Sequence, residues 1–149
     1  MSLTEKIASD LIIAMKAKDK IALEALRAAK TAFILTRTEK SGDTVLTTEE
    51  ELKIIQKLVK QRRESAAIYK EQSRPDLYGK EITEAEVLEK YLPVRMSNEE
   101  LSDSIRGIIV RLEAKSMADM GKVMGIATKE LVGKADGKEI SAMVKKMLG

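Results

Sequence analysis

The chain lacks cysteine, histidine and tryptophan altogether. Without cysteine it has neither disulfides nor thiolate metal ligands, and without histidine it lacks the commonest general base and metal ligand. Its 149 residues include only two prolines, and aromatic residues make up 3% of the total. The composition therefore predicts no catalytic constellation, no metal site and no cofactor. It also requires a core built from aliphatic side chains and methionine.

Long apolar runs are missing as well. No apolar segment reaches the roughly 20 residues that cross a bilayer. The N-terminus also lacks the pattern of a targeting sequence, in which basic residues precede an apolar run. We therefore expect a cytoplasmic protein with no membrane partner. The formal net charge is +3, and residues 115–149 carry seven lysines against four acidic residues. This local excess of positive charge permits an anionic partner at the C-terminal end.

Residues that favour helices dominate what is present, and apolar positions recur at spacings of three and four. The predicted fold class is all-α, with two small helical domains over 1–93 and 97–149 and a linker between them. Helices are expected over residues 3–17, 48–72 and 81–92, with a further helix between the first two that ends near residue 39. A C-terminal three-helix bundle follows. Capping boxes are predicted at Ser2, Thr47 and Ser97, and a loop is expected around residues 41–43.

The stretch from Met117 to Gly137 contains four of the eight glycines. A helical wheel places its core face on Met120, Met124, Ala127 and Leu131, with Val123 at the edge. Gly121 and Gly125 lie on another side, beside Lys122 and Lys129. Each glycine costs a helix about 1 kcal/mol relative to alanine. Two interpretations stay open, namely close approach by another helix and close approach by a ligand.

The segment after this helix resembles a turn into the last helix. Gly133 stands where a helix end needs a left-handed residue, and Asp136 with Glu139 forms a capping-box pattern. The pair Gly133-Lys134 does not continue into a phosphate-binding loop, because Ala135 replaces the serine or threonine that such a loop needs. No nucleotide cofactor is therefore predicted here.

Charged residues also cluster elsewhere. One side of the third helix carries a row of basic residues, with two more nearby: Lys53, Lys57, Lys60 and Arg63, then Arg62 and Arg74. This row is either a solvated face interleaved with glutamates or a stripe that contacts phosphates. The acidic run Glu49-Glu50-Glu51 is interpreted as a favourable charge at a helix start.

Three motifs carry a family resemblance. They are KQRRESAAIYKEQSRPDL (Lys60 to Leu77), EKYLP (Glu89 to Pro93), and MADMGKVMG followed by GKADGKEI. Together they resemble the YqeY family over essentially the whole chain. Residues from about 97 to 149 also resemble the tail domain of the B subunit of the glutamine-dependent tRNA amidotransferase (GatB). The resemblance implies an all-helical two-domain fold and an association with carbon–nitrogen ligase activity with glutamine as amido donor.

In the amidotransferase the tail domain helps to hold the tRNA, so the resemblance implies an RNA-associated binding module. The expected partners are tRNA or another structured RNA, and an amidotransferase complex. Two alternatives stay open: an accessory component of the carbon–nitrogen ligase, and a helical protein-interaction adaptor without an RNA role. The predicted RNA-binding residues are Lys115, Gly121, Lys122, Gly125, Lys129, Lys134 and Lys138.

Overall fold

The computed structural model describes residues 1–40 and 45–149, so the loop expected around residues 41–43 lies outside the described residues. Within these ranges the chain forms seven α-helices and one short 3-10 helix, and no strand occurs. The helices are α1 (Leu3–Ala17), α2 (Lys20–Glu39), α3 (Thr48–Glu71), α4 (Pro75–Glu89), α5 (Asn98–Leu112), α6 (Met120–Glu130) and α7 (Gly137–Leu148), with the 3-10 helix at Met117–Asp119. The predicted all-α fold class is confirmed.

Side-chain caps set where the helices begin. Ser2 and Ser97 form reciprocal capping boxes with the glutamates three residues further on, as predicted. Thr47 accepts a hydrogen bond from the Glu50 N–H at 3.1 Å, but the Glu50 carboxylate pairs with the Lys40 ammonium at 2.5 Å. This pairing also holds the pKa of Glu50 below its usual range. Only half of the predicted box therefore forms at Thr47. The Glu50 carboxylate, which would complete the box, pairs instead with Lys40 at the end of α2.

The fourth helix begins earlier than predicted. The sequence pattern placed a turn around Pro75 and a helix over residues 81–92, whereas α4 starts at Pro75 itself and ends at Glu89. Proline is tolerated in the first turn of a helix because its missing N–H would have no helical acceptor there. The chain does turn at residues 72–74, but Pro75 already belongs to α4, and Pro93 lies beyond the end of the helix that the sequence pattern extended to residue 92.

The chain divides into two compact units, Met1–Leu92 and Pro93–Gly149. In the first unit α1 to α4 enclose an apolar core, and α3 packs most extensively on α4. The largest fully buried apolar side chains of this core are Phe33, Ile7, Ile55 and Leu88. Met15 continues the spacing of four residues that joins Ile7 and Leu11, a pattern that predicts a core position, but it is 53% exposed and Ala14 is buried instead. That each unit folds on its own remains a prediction.

One acidic side chain lies in the core of the first unit. Glu51 is 2% exposed, and its carboxylate accepts hydrogen bonds from the backbone N–H of Thr4 at 2.7 Å and from the Thr4 hydroxyl at 2.6 Å. Thr4 lies in the first turn of α1, where N–H groups lack helical acceptors. Glu51 of α3 therefore caps α1, a tertiary role that differs from the predicted one at the start of its own helix.

The second unit packs α5, α6 and α7 around a small aliphatic core. Its most deeply buried side chains are Leu101, Ile105, Ile108, Val123, Ala127, Ile140 and Val144. Val123, expected at the edge of the core face of α6, lies completely buried at its centre, while Met120 and Met124 are only half-buried. The core line of α6 runs through Val123, Ala127 and Leu131, which leaves the opposite side of a short helix to solvent.

Candidate nucleic-acid interface

The solvent side of α6 carries four of the predicted site residues, Gly121, Lys122, Gly125 and Lys129, all of them exposed. At about 3.6 residues per turn, Gly125, Lys129 and Lys122 fall within an arc of roughly 60° that points away from the core. The two lysines are seven residues apart, which corresponds to a rise of about 10.5 Å. The predicted position of the two lysines opposite the core therefore matches the burial pattern, which also shows that this side is open. Binding to that side stays a prediction. We call these four residues the α6 face.

Both glycines of the α6 face border open space. A Cβ atom built on Gly121 or Gly125 would meet no atom within 4 Å, leaving out their immediate neighbours in the helix. A helix packed closely against these glycines would place atoms well inside that distance. The helix–helix interpretation of the two glycines is therefore wrong for the part of the chain that the structure describes. The ligand interpretation is the one that stays open.

The remaining predicted lysines lie at the two ends of α6. Lys115 precedes its N-terminal end, and its backbone N–H donates to the Asp119 carboxylate at 2.9 Å. That bond is the main reason why the pKa of Asp119 is lowered, and the positive charges of Lys122 and Lys115 add to the effect. Lys134 and Lys138 follow the other end. Among the described residues no carboxylate lies within the 4.0 Å of an ion pair from any of these lysines or from Lys129.

The turn between α6 and α7 has the predicted local structure. Gly133 adopts a φ of 78°, the left-handed conformation that favours glycine. Asp136 caps α7 by accepting the Glu139 N–H at 2.8 Å. The Glu139 carboxylate pairs with Arg95, which also lies 3.7 Å from Asp136. Arg95, a residue of the linker, thus pairs with the carboxylate that would complete the predicted capping box. Lys40 does the same to Glu50 in the box at Thr47.

A groove that the sequence did not predict lies beside this turn, between α5 and the end of α6. It is open and has a volume of about 470 Å³. Its lining combines apolar residues with charged ones: Met96, Ile108, Leu131 and Gly107 with Asp103, Arg111, Glu130 and Lys134. An Arg111–Glu130 ion pair of 2.8 Å spans from α5 to α6. Only the tertiary packing of these segments assembles the groove, so no local sequence signal could have revealed it.

Half of the basic residues in and beside the row on α3 are paired with neighbouring acids. Ion pairs join Lys53 to Glu49 at 3.1 Å, Arg63 to Glu89 at 2.7 Å, and Arg74 to Asp76 at 3.2 Å. Arg62 is half-buried. Lys57 and Lys60 are exposed and, within the described chain, have no ion pair. This pattern favours the solvated-face interpretation of α3 over a phosphate-contacting stripe.

The architecture is that of an all-helical protein of two compact units, with an exposed basic helix in the smaller one. A family model described as "Yqey-like protein" matches residues 4–148, and the chain therefore belongs to the YqeY family. It is also similar to "Altered inheritance of mitochondria protein 41, mitochondrial" from Pyrenophora tritici-repentis (strain Pt-1C-BFP). The two are 26% identical over 148 residues, which cover 97% of this chain and 80% of that protein. The predicted family is confirmed.

Two further expectations concern the cellular setting. In residues 1–40 and 45–149, no helix is long and apolar enough to cross a membrane. The name of the fungal relative assigns that protein to the mitochondrion. The cytoplasmic location expected for this chain therefore stays a prediction.

Proposed function

We propose that this protein is an RNA-binding helical module and that the α6 face contacts the sugar–phosphate backbone of a structured RNA such as tRNA. The observation that carries the proposal is the open space above Gly121 and Gly125, next to two exposed lysines that form no ion pair with any described residue. Glycine in an exposed helix is destabilising. If a ligand approaches the helix backbone closely, the binding that the glycines allow would offset their cost in helix stability.

Charge supports the same ligand class. Lys122 and Lys129 are separated by two helical turns, so each meets a different phosphate. Lys115 at one end and Lys134 and Lys138 at the other extend the positive surface beyond α6 itself. Phosphate contacts by lysine release counterions, and the affinity then falls with salt by a slope of roughly 0.7 to 0.9 for each neutralised phosphate. The resemblance of residues 97–149 to the amidotransferase tail domain points to tRNA as the RNA to test first.

The first experiment reverses the charge of the α6 face. Lys122→Glu with Lys129→Glu is expected to weaken the binding of labelled bulk tRNA at least about tenfold at low salt and to reduce its salt slope by about 1.5. The matched control is Lys145→Glu with Lys146→Glu, which makes the same change in net charge on two exposed lysines of α7. Equal losses in both variants would contradict a site on α6. Wild-type protein that fails to bind tRNA at low salt would end the RNA proposal.

A second experiment fills the open space directly. Gly125→Leu is expected to leave the melting temperature unchanged or slightly raised, because the added side chain meets no neighbour and leucine favours helix by roughly 0.5 to 1 kcal/mol over glycine. The same substitution is expected to abolish tRNA binding, since a leucine keeps the phosphate backbone away from the helix. Gly107→Leu on α5 is the control, because Gly107 is also exposed and open. Undiminished binding by Gly125→Leu would show that the glycines do not face the ligand.

The groove beside α5 supports a second candidate function, that of a protein-interaction adaptor. A lining that mixes apolar residues with charges of both signs fits a side chain of a partner protein better than a phosphate. Gly107→Leu would fill this groove and should therefore impair capture of a protein partner while sparing tRNA binding.

An accessory role in amide transfer rests on the family resemblance alone. If the protein has this role, adding it to an amidotransferase supplied with glutamine and ATP should change the rate at which misacylated tRNA is converted.

A further inference from the structure

A second basic surface lies on α2, and the sequence patterns discussed above did not single it out. Arg27, Lys30, Ile34 and Arg37 follow one another at spacings of three, four and three, and all are exposed. This spacing puts them in a single stripe, within an arc of about 80° on the helix. The opposite side of α2 packs into the core through Ala25, Leu26, Ala29 and Phe33. We call the four exposed residues the α2 ridge.

None of the three cations of the α2 ridge is paired with a described acid, whereas two of the four cations in the α3 row are. No ion pair to Arg27, Lys30 or Arg37 occurs in the described ranges. Glu24 lies one turn before Arg27 but pairs with Lys80 at 2.9 Å, and Glu39 lies on the far side of the helix from Arg37. The ridge therefore presents three cations without an ion pair to any described residue along about 15 Å of helix.

We propose that the α2 ridge is a second phosphate-contacting surface, which binds the backbone of a structured RNA. Its three cations span a length over which the phosphates of one strand advance several steps, at about 3.4 Å per nucleotide in a duplex. Two of them are arginines, whose planar donor groups bind phosphate in a two-pronged geometry. The hydroxyl-bearing Thr31, also exposed, lies beside Arg27 on the same side and is a further donor type found at phosphates.

A lipid surface fits the ridge less well. Binding to a bilayer needs a contiguous apolar face flanked by cations. Here Ile34 stands alone between cations, and the other exposed apolar residue nearby, Leu35, points about 100° away around the helix. An apolar area that is divided in this way inserts poorly, whereas phosphates need only the charges.

The test compares two double reversals in the full chain. Arg27→Glu with Lys30→Glu is expected to weaken tRNA binding at least about tenfold at low salt and to lower the salt slope by about 1.5. Lys57→Glu with Lys60→Glu makes the same change in net charge on exposed, unpaired lysines of α3 and is expected to stay within about twofold of wild type. Arg27→Gln with Lys30→Gln gives a milder variant in case the reversal disturbs folding. Circular dichroism verifies that each variant is folded.

The proposal is independent of the α6 face, and the outcomes separate the two. Loss of binding in the α2 variants alone supports the ridge and removes the α6 site. Loss in the α6 variant alone overturns the ridge and leaves the RNA function intact. Equal losses in the α2 and α3 variants overturn the ridge, since only overall charge would then matter. The ridge is also overturned if its variants keep full tRNA affinity but lose binding to phosphatidylserine vesicles, and a wild-type chain that binds no tRNA overturns both sites.

Discussion

The first unit buries two glutamates, Glu51 and Glu84, whereas the buried side chains of residues 93–149 are all apolar. Buried carboxylates are tolerated only where they find donors or opposite charges. In the first unit they tie specific helices together, α3 to α1 through Glu51. The second unit buries no polar side chain, and its ion pairs, such as Arg111–Glu130 between α5 and α6, lie at the surface. The larger unit therefore uses polar contacts inside its core to specify helix pairing, whereas the smaller one has an aliphatic core and leaves one side of α6 open to solvent or a ligand.

Other polar contacts of the first unit point the same way. The Tyr91 hydroxyl donates to the Asp10 carboxylate at 2.5 Å, and the pKa of Tyr91 is raised, chiefly by burial and then by that bond. Glu84 is 6% exposed, and burial raises its pKa against the opposing attraction of Arg62. The Nε atom of Arg62 is itself buried and has no hydrogen-bond partner among the described residues. Polar groups thus connect α1, α3 and the C-terminal part of α4 with the turn after it, at a cost in desolvation.

The largest effect is expected from removing the tertiary cap. Glu51→Ala should lower the unfolding free energy of the first unit by about 2 to 4 kcal/mol, because two donors of Thr4 lose a charged acceptor inside the core. Urea unfolding of the full chain measures this loss. Glu49→Ala is the control, since its partly exposed pair with Lys53 is worth under about 1 kcal/mol. Equal losses in the two variants would show that Glu51 acts only through the charge at the start of α3.

The matching change in the second unit is Val123→Ala. Removing two methyl groups from a completely buried site should cost about 2 kcal/mol, through lost burial and the cavity left behind. Met124→Ala should cost less, although it removes more atoms, because Met124 is only half-buried. Thermal melts of both variants check the order. The reverse order would restore the methionine-centred core face that the sequence pattern predicted.

The third prediction concerns where the second unit begins. A fragment of residues 97–149 should fold, and a fragment of residues 93–149 should be more stable by roughly 1 kcal/mol. The longer fragment keeps the bond from the Met96 N–H to the Lys134 carbonyl at 2.9 Å and the pairing of Arg95 with Glu139. Circular dichroism with urea titration compares the two. Two unfolded fragments would show that the compact units are not independent domains.

Glu84 makes the first unit sensitive to pH. Its pKa in the folded chain lies above the ordinary glutamate value, so the stability linked to its protonated form is complete at low pH. That contribution is lost as the pH rises through the folded-state pKa. The unfolding free energy of wild type minus that of Glu84→Gln should therefore decrease as the pH rises above the ordinary glutamate pKa of about 4.3. Glu86→Gln, at an exposed site of the same helix, is the control, and a constant difference for Glu84→Gln would contradict the assignment.

The smallest effect is expected on α3. Lys57→Glu with Lys60→Glu should leave the unfolding free energy within about 0.5 kcal/mol of wild type, as for typical surface changes. Both side chains are exposed and make no ion pair among the described residues. A larger loss in urea unfolding would show that the basic side of α3 supports the fold of the first unit.

Local patterns predicted the fold well wherever the interaction is itself local. The boxes at Ser2 and Ser97 correctly mark the first residues of α1 and α5 because a cap joins residues three apart. Gly133 was predicted as left-handed for a similarly local reason. Pro75 was misjudged because a proline is compatible both with a turn and with a first helical turn, and sequence alone does not decide between them.

The candidate sites show the same division. The exposed side of α6 followed from helical periodicity, since Lys122, Gly125 and Lys129 must share a side of any regular helix. Whether another helix covers that side depends on packing, and the structure decided against it. On α3 and α2 the sequence contains similar basic rows. Only the packed structure shows that acids pair with two of the four residues in the α3 row and with the nearby Arg74, while no described acid pairs with the α2 ridge.

The sequence by itself determined the helical class, most helix boundaries, the family and the lysine-rich end of the chain, because these depend on composition and on neighbours within one or two turns. Tertiary structure alone decided that Glu51 caps α1 and that Val123 centres the second core. It also assembled the groove beside α5 and left the cations of the α2 ridge without an ion pair to any described residue. The physical reason is that burial and ion pairing join residues distant in the chain, as Thr4 joins Glu51 across 47 positions.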